Sequence, residues 1–153
     1  MAVSTIDLRE LEGFSATLSD KKLSNYMKYI SKKVAHEFYL TLVDNIRTNY
    51  YGFILKPETL RKKAKLGKPL NPFIFDGDYM AAITVRGSRV YMRAGKHHSG
   101  MTNDELWDVL ENGYPPKNIP PRPLWRLTKW DFEARAKDIY SDALLKYLKR
   151  GKK

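Results

Sequence analysis

A chain of 153 residues, 42% hydrophobic, 29% charged and 12% aromatic, has the length of one domain and too many aromatics for an intrinsically disordered polypeptide. No run approaches the ~18 apolar residues of a membrane span, and Asp7, Arg9 and Glu10 stand where a signal peptide needs an apolar stretch. With no cysteine, disulfides, thiolate zinc sites and cysteine nucleophiles are excluded. The expectation is a single domain, 1–153, neither inserted in a membrane nor secreted, with residues 1–18 a mobile arm and 149–153 a mobile basic tail.

A helix reads from near Ser19 to about Tyr50, because Leu23, Met27, Ile30, Val34, Phe38, Leu42 and Ile46 recur at steps of three and four. Lys28, Lys32 and His36 mark its watery face, Ser19 is a candidate N-cap, and Asn49 and Gly52 suit the exit. About 30 residues would span ~45 Å, more than one domain of this size covers, so part of the helix is expected to meet another subunit. Pro57 then suits the first turn of a short helix, Glu58 to about Leu66, with Gly67 as its stop and Lys62 and Lys63 projecting from it. Pro69 and Pro72 enforce an extended passage into Phe73, Ile74 and Phe75, and Asp76-Gly77-Asp78 reads as a turn or helix start.

Ala82–Val85 and Val90–Ala94 read as a hairpin turning through Arg86-Gly87-Ser88-Arg89. Two strands alone are marginal, so Phe73–Phe75 or a neighbouring chain is expected to add a third. Thr102 and Glu105 fit a capping box, Leu106, Val109 and Leu110 give the next helix an apolar face, and Gly113 stops it. Tyr114 to Trp125 carries Pro115, Pro116, Pro120, Pro121 and Pro123 and is expected to be a stiff loop. Within it, Lys117, Pro120 and Pro123 also match the loose pattern of an SH3-type ligand, a match that a loop fixed against its own core explains more simply. The closing helix should start near Thr128, with Asp131 toward its positive end, and bury Phe132, Ala136, Ile139, Ala143 and Tyr147.

The formal net charge of +11 is concentrated in two segments. Lys56 to Lys68 holds Lys56, Arg61, Lys62, Lys63, Lys65 and Lys68 against Glu58 alone; Lys146 to Lys153 holds five cations and no acid. Such clusters point to patches for phosphate or an acidic protein surface, against the plainer reading of solvated basic segments.

Catalytic chemistry finds little footing. His36 falls on the watery helix face, and His97 and His98, if extended, point to opposite sides and are badly spaced to hold one metal. Asp76 and Asp78 could take a divalent cation but read more simply as turn and cap residues. There is no nucleophile elbow, Walker loop or dinucleotide fingerprint. No enzyme, metal or cofactor is expected.

The motifs from Lys56 to Leu148, in their order, resemble the tail-completion, or head-to-tail joining, proteins of tailed bacteriophages, also called minor tail proteins. The basic segment Lys56–Pro69 comes first, then Phe73-Ile74-Phe75-Asp76-Gly77-Asp78 running on to Ile83, a hairpin, and a helix ending in Leu110-Glu111-Asn112-Gly113. The arginine-proline signature Ile119-Pro120-Pro121-Arg122-Pro123-Leu124-Trp125 is the most specific piece. Asp78 departs from the family's usual glutamate, and His97 to Met101 from its tyrosine-alanine approach to the helix.

The resemblance implies an α+β fold, a small antiparallel sheet packed by a long N-terminal helix and a C-terminal helix. It implies a non-enzymatic virion protein of the neck, assembled in the host cytoplasm. Such proteins form a ring, generally a hexamer, that joins the head-completion, or stopper, protein to the tail terminator or tube while DNA passes through the lumen. For subunit or partner contact the expected residues are Ile119, Pro120, Arg122, Pro123, Trp125 and Trp130. Arg122 would be held between prolines for a bidentate bond, and the tryptophans are either interface anchors or core. Arg61, Lys62, Lys63, Lys65, Lys68, Lys149 and Arg150 would face DNA or an acidic neighbour. The alternatives are a basic nucleic-acid-binding protein and a metal-dependent nuclease built on Asp76, Asp78, Glu105 and the histidine pair.

Overall fold

A stripe of apolar residues along a helix must find a second apolar surface, and the two longest helices here supply each other. The structure is a computed structural model that describes residues 5–7, 21–74 and 76–150. Helix α1, the first among the described residues, is Lys21–Thr48, and the seven periodic residues from Leu23 to Ile46 are all buried. The expected cap Ser19 lies outside the described residues. At the far end Asn49 takes the left-handed conformation (φ 49°), and its amide clasps the turn: Nδ2 donates to the Phe53 carbonyl (3.0 Å) while Oδ1 accepts from the Phe53 N–H (3.1 Å).

The closing helix, α5 among the described residues, is Leu124–Arg150 and runs antiparallel to α1. Partners descend along α5 as they ascend along α1. Tyr26 meets Tyr147 with ring centroids 5.4 Å apart, the Tyr140 hydroxyl donates to Ser31 Oγ (2.6 Å), Phe38 meets Phe132 edge to face (5.5 Å), and Asn45 Nδ2 donates to Thr128 Oγ1 (3.0 Å). Ser31, Asn45 and Thr128 are buried polar groups, and these bonds are what makes their burial tolerable.

Helix α5 begins four residues before the expected Thr128. The Pro123 carbonyl accepts from the Leu127 N–H (3.0 Å), so Pro123 is the N-cap, where a missing N–H costs nothing. Thr128 is fully buried against Asn45 instead of capping, and Asp131 accepts from the Tyr51 hydroxyl (2.7 Å) well inside the helix. The helix also continues through Lys149 and Arg150, two residues that were expected in a mobile tail.

Between the long helices lie α2 (Pro57–Lys65), α3 (Asp78–Ala82), the strands β2 (Ile83–Arg86) and β3 (Arg89–Met92), and α4 (Asn103–Asn112). Gly87, at φ 61°, makes the hairpin turn. Ile83 pairs with Met92 and Val85 with Val90, and Ile83, Val90 and Met92 are buried on the face toward α1. The third strand is β1, Thr5–Asp7, antiparallel to β3, giving the order β1-β3-β2. It comes from the segment expected to be a mobile arm. Phe73 and Ile74, expected to supply it, form no strand: Phe73 is buried in the core between Phe53 and Tyr79, with ring centroids 5.6 and 6.2 Å away. The architecture is α+β, a small antiparallel sheet packed by a long N-terminal and a C-terminal helix. Among the described residues no helix is long and apolar enough to cross a membrane.

Candidate functional site

Helix α4 is fixed at both ends by local chemistry. Thr102 Oγ1 accepts from the Glu105 N–H (3.2 Å) and Glu105 Oε2 accepts from the Thr102 N–H (2.8 Å), the reciprocal capping box. These bonds hold the Glu105 carboxyl below its ordinary range and commit it to the cap, away from Asp76 and Asp78 of the nuclease alternative. Gly113 ends the helix at φ 78°, and a Cβ there would lie 2.7 Å from the Ile119 carbonyl oxygen and 2.9 Å from Pro121 N. The proline-rich loop therefore folds directly over the glycine, closed by paired bonds between Tyr114 and Ile119 (2.8 and 3.1 Å) and a short 3-10 turn, Pro115–Lys117.

The return of this loop is anchored by the Arg122 N–H, which donates to the Leu110 carbonyl (2.6 Å). Glu111, 3% exposed, reaches across to α5 and accepts from the Trp125 N–H (2.7 Å) and the Arg126 N–H (3.4 Å). A carboxylate thus satisfies free donors at the positive end of α5. Burial nevertheless outweighs those bonds and pushes Glu111 up to about 7. Trp125, 1% exposed, donates from Nε1 to the Tyr79 hydroxyl (3.1 Å) and meets Trp107 edge to face (6.3 Å). It is a core residue and offers no surface to a partner, which removes it from the expected interface. Desolvation by complete burial, aided by the Glu111 charge, raises the Tyr79 hydroxyl far above its ordinary value.

Arg122 is also buried, 8% exposed, and its Nε has no hydrogen-bond partner among the described residues. Burial depresses its proton affinity. Lys63, expected to project from α2, turns inward instead: it is 5% exposed, and its Nζ donates to the carbonyls of Asn71 (2.6 Å) and Ile74 (2.5 Å). Burial and the neighbouring Arg122 charge lower its proton affinity in turn. Both residues line a groove of about 480 Å³ with Lys56, Lys117, His97 and His98, walled by apolar side chains that include Phe73, Leu106, Leu110 and Ile119. Pro120 is an exposed part of its rim, whereas Ile119 and Pro123 are half-buried.

The histidine pair lies closer together than an extended chain would place it. The segment turns back through a His97 N–H to Met101 carbonyl bond (2.7 Å), and the two rings stand 3.8 Å apart. His98 Nδ1 contacts Asp78 Oδ2 (3.1 Å), and Asp76 pairs with Lys68, whose bond holds its carboxyl below the usual range. His97 Nδ1 contacts both the Ser99 hydroxyl (2.9 Å) and the Ser99 N–H (3.2 Å), and burial with the neighbouring His98 charge lowers the ring's proton affinity. Asp78, His97 and His98 hold potential ligand atoms within 4.8 Å of one another, so the expectation that the two rings diverge is corrected.

The expected basic patch divides. Arg61, Lys62 and Lys65 are exposed on α2, Lys68 is taken by Asp76, Lys63 is buried, and Lys149 is exposed near the end of α5. For Arg150 the backbone alone is described. Trp130 is 72% exposed, separated from the arginine-proline loop by the first turns of α5.

Glu111 and the inward turn of Lys63 escape sequence reasoning. For Glu111 a signal exists: an acid in the last turn of a helix opposes the helix dipole and so needs a partner elsewhere. Compared with protein-family models, curated proteins and solved structures, the chain matches none.

Proposed function

We propose that this chain is a structural protein of the phage neck, a subunit of a ring, generally a hexamer, that joins the head-completion protein to the tail terminator or tube and lets DNA pass. The family assignment rests on the order of motifs from Lys56 to Leu148. The structural observation that carries an assembly role is a set of large apolar side chains left outside a well-filled core: Ile54 is 82%, Trp130 72% and Tyr50 68% exposed. The Tyr51–Asp131 bond puts the neighbours of both residues, Tyr50 and Trp130, at the same end of the α1/α5 pair. Aromatic anchors of this kind concentrate interface energy, and a head-to-tail ring repeats one such contact until it closes. The exposed cations of α2 fit either the DNA in the lumen or an acidic neighbour. On this reading the protein is found in the virion, at the top of the tail, and works by assembly, with no chemical step of its own.

Sedimentation of the purified chain, alone and mixed with the head-completion and tail-terminator proteins, tests this. Closed rings are expected on mixing, and Trp130→Ser should weaken them about tenfold or more while leaving the melting temperature unchanged, because the side chain is outside the core. A chain that stays monomeric in every mixture and is missing from purified virions would overturn the reading. A steep, salt-dependent DNA shift by the monomer would favour the basic nucleic-acid-binding alternative, and magnesium-dependent cleavage lost in Asp76→Ala the nuclease.

A further inference from the structure

We propose that the groove beside the arginine-proline loop binds a carboxylate carried on an apolar body, gripped by the Arg122 guanidinium. Arg122 is more than nine-tenths buried, lines the groove, and has no acceptor for Nε among the described residues. Among the described residues no carboxylate pairs with it. Glu111, the nearest buried acid in sequence, is committed to the N–H groups of α5, and Glu58, the acid among the lining residues, is exposed on α2. A buried guanidinium donor without an acceptor is costly, and the buried Lys63 beside it adds like charge. An arriving anion removes both penalties at once.

The shape of the site selects the anion. Nε–H and one terminal N–H of a guanidinium form a parallel fork that matches the two oxygens of a carboxylate. Phe73, Leu106, Leu110 and Ile119 offer apolar walls, and about 480 Å³ is within the range of pockets that enclose small ligands. Lys56 and Lys117 also line the groove but are exposed to water, whereas the walls named above are apolar, so the site favours an anion that carries an apolar body over a fully hydrated phosphate. The carboxylate can belong to a free aliphatic or aromatic acid, or to a glutamate or aspartate on an apolar segment of a neighbouring protein.

The direct measurement is the Arg122 Nε–Hε resonance of the full chain, followed during titration with 4-methylpentanoate, phenylacetate, an acetylated Leu-Glu-Phe amide, and inorganic phosphate at matched ionic strength. A saturable shift with the carboxylates and none with phosphate is expected. Tighter binding of the peptide than of the free acids assigns the site to a protein partner; the reverse assigns it to a small molecule. Arg122→Met should keep its fold, with an unchanged or higher melting temperature, and lose the carboxylate response at the neighbouring His97 and His98 resonances. Arg122→Lys, which keeps the charge without the fork, should bind about tenfold more weakly or worse. No saturable shift with any carboxylate, an equal shift with phosphate, or full binding by Arg122→Met would each overturn the assignment.

Discussion

Glu111 lies between two opposing demands: the free N–H groups at the start of α5 favour its charge, and burial opposes it. Burial wins, raising the group from 4.5 to about 7. Between those values the unfolded chain has released the proton and the native chain still holds it, so native stability falls as pH rises through that window. The contribution is fully present below 4.5 and largely gone above 7, a change of about 3 kcal/mol. Glu111→Gln keeps an oxygen for the Trp125 N–H and does not titrate. Urea unfolding across the pH range should therefore show the variant gaining on the natural chain by about that amount between pH 4.5 and 8. A stability difference independent of pH would show that Glu111 titrates at its ordinary value.

The turn between α4 and α5 is fixed by one backbone position. Gly113 combines a positive φ with loop atoms at 2.7 and 2.9 Å from where a Cβ would stand, and the paired bonds between Tyr114 and Ile119 keep the loop from stepping aside. Gly113→Ala should cost about 3 kcal/mol, the penalty for a side chain at this positive φ added to the steric one. Gly67→Ala, with φ 63° and nothing within 4 Å, should cost about 1 kcal/mol. Thermal melts of the two variants compare them directly, and equal losses would mean the loop yields.

At this scale the sequence is most readable where one residue type meets one local demand. The Thr102–Glu105 box, Pro57 at the start of α2, Asn49 at the end of α1 and the stop at Gly113 are all expected and all present. It misleads where tertiary contacts compete with local preference. Thr128 looks like a cap but is needed by Asn45, so Pro123 caps α5 and Trp125 becomes helical core. Lys63 looks like a surface cation, yet the carbonyls of Asn71 and Ile74 need a donor that only a long side chain can deliver. The candidate groove is hidden for the same reason: Arg122 is conspicuous between its prolines, but Lys63, Phe73 and the histidine pair reach it from three other segments.

Over the whole molecule the core is continuous. Buried residues of α1, α3, the hairpin, α4 and α5 form one cluster, so no element has a separate apolar interior to retain when the others melt. Phe38, 1% exposed, sits near the middle of α1 against Phe132, where a cavity has little freedom to collapse. Phe38→Ala should cost about 3–5 kcal/mol, a large share of the roughly 5–15 kcal/mol that a domain of this kind holds. The loss should be cooperative. Far-ultraviolet circular dichroism follows chiefly α1 and α5, while the fluorescence of Trp107 and Trp125 reports the junction of α4 with α5. Both signals should move together to the same lower denaturant midpoint in the variant. If the tryptophan signal kept its midpoint while helix was lost, the loop and groove would be a unit able to stand without α1. A single continuous core requires the opposite, because Trp125 belongs to the same buried cluster as Phe38 and the other apolar residues of α1.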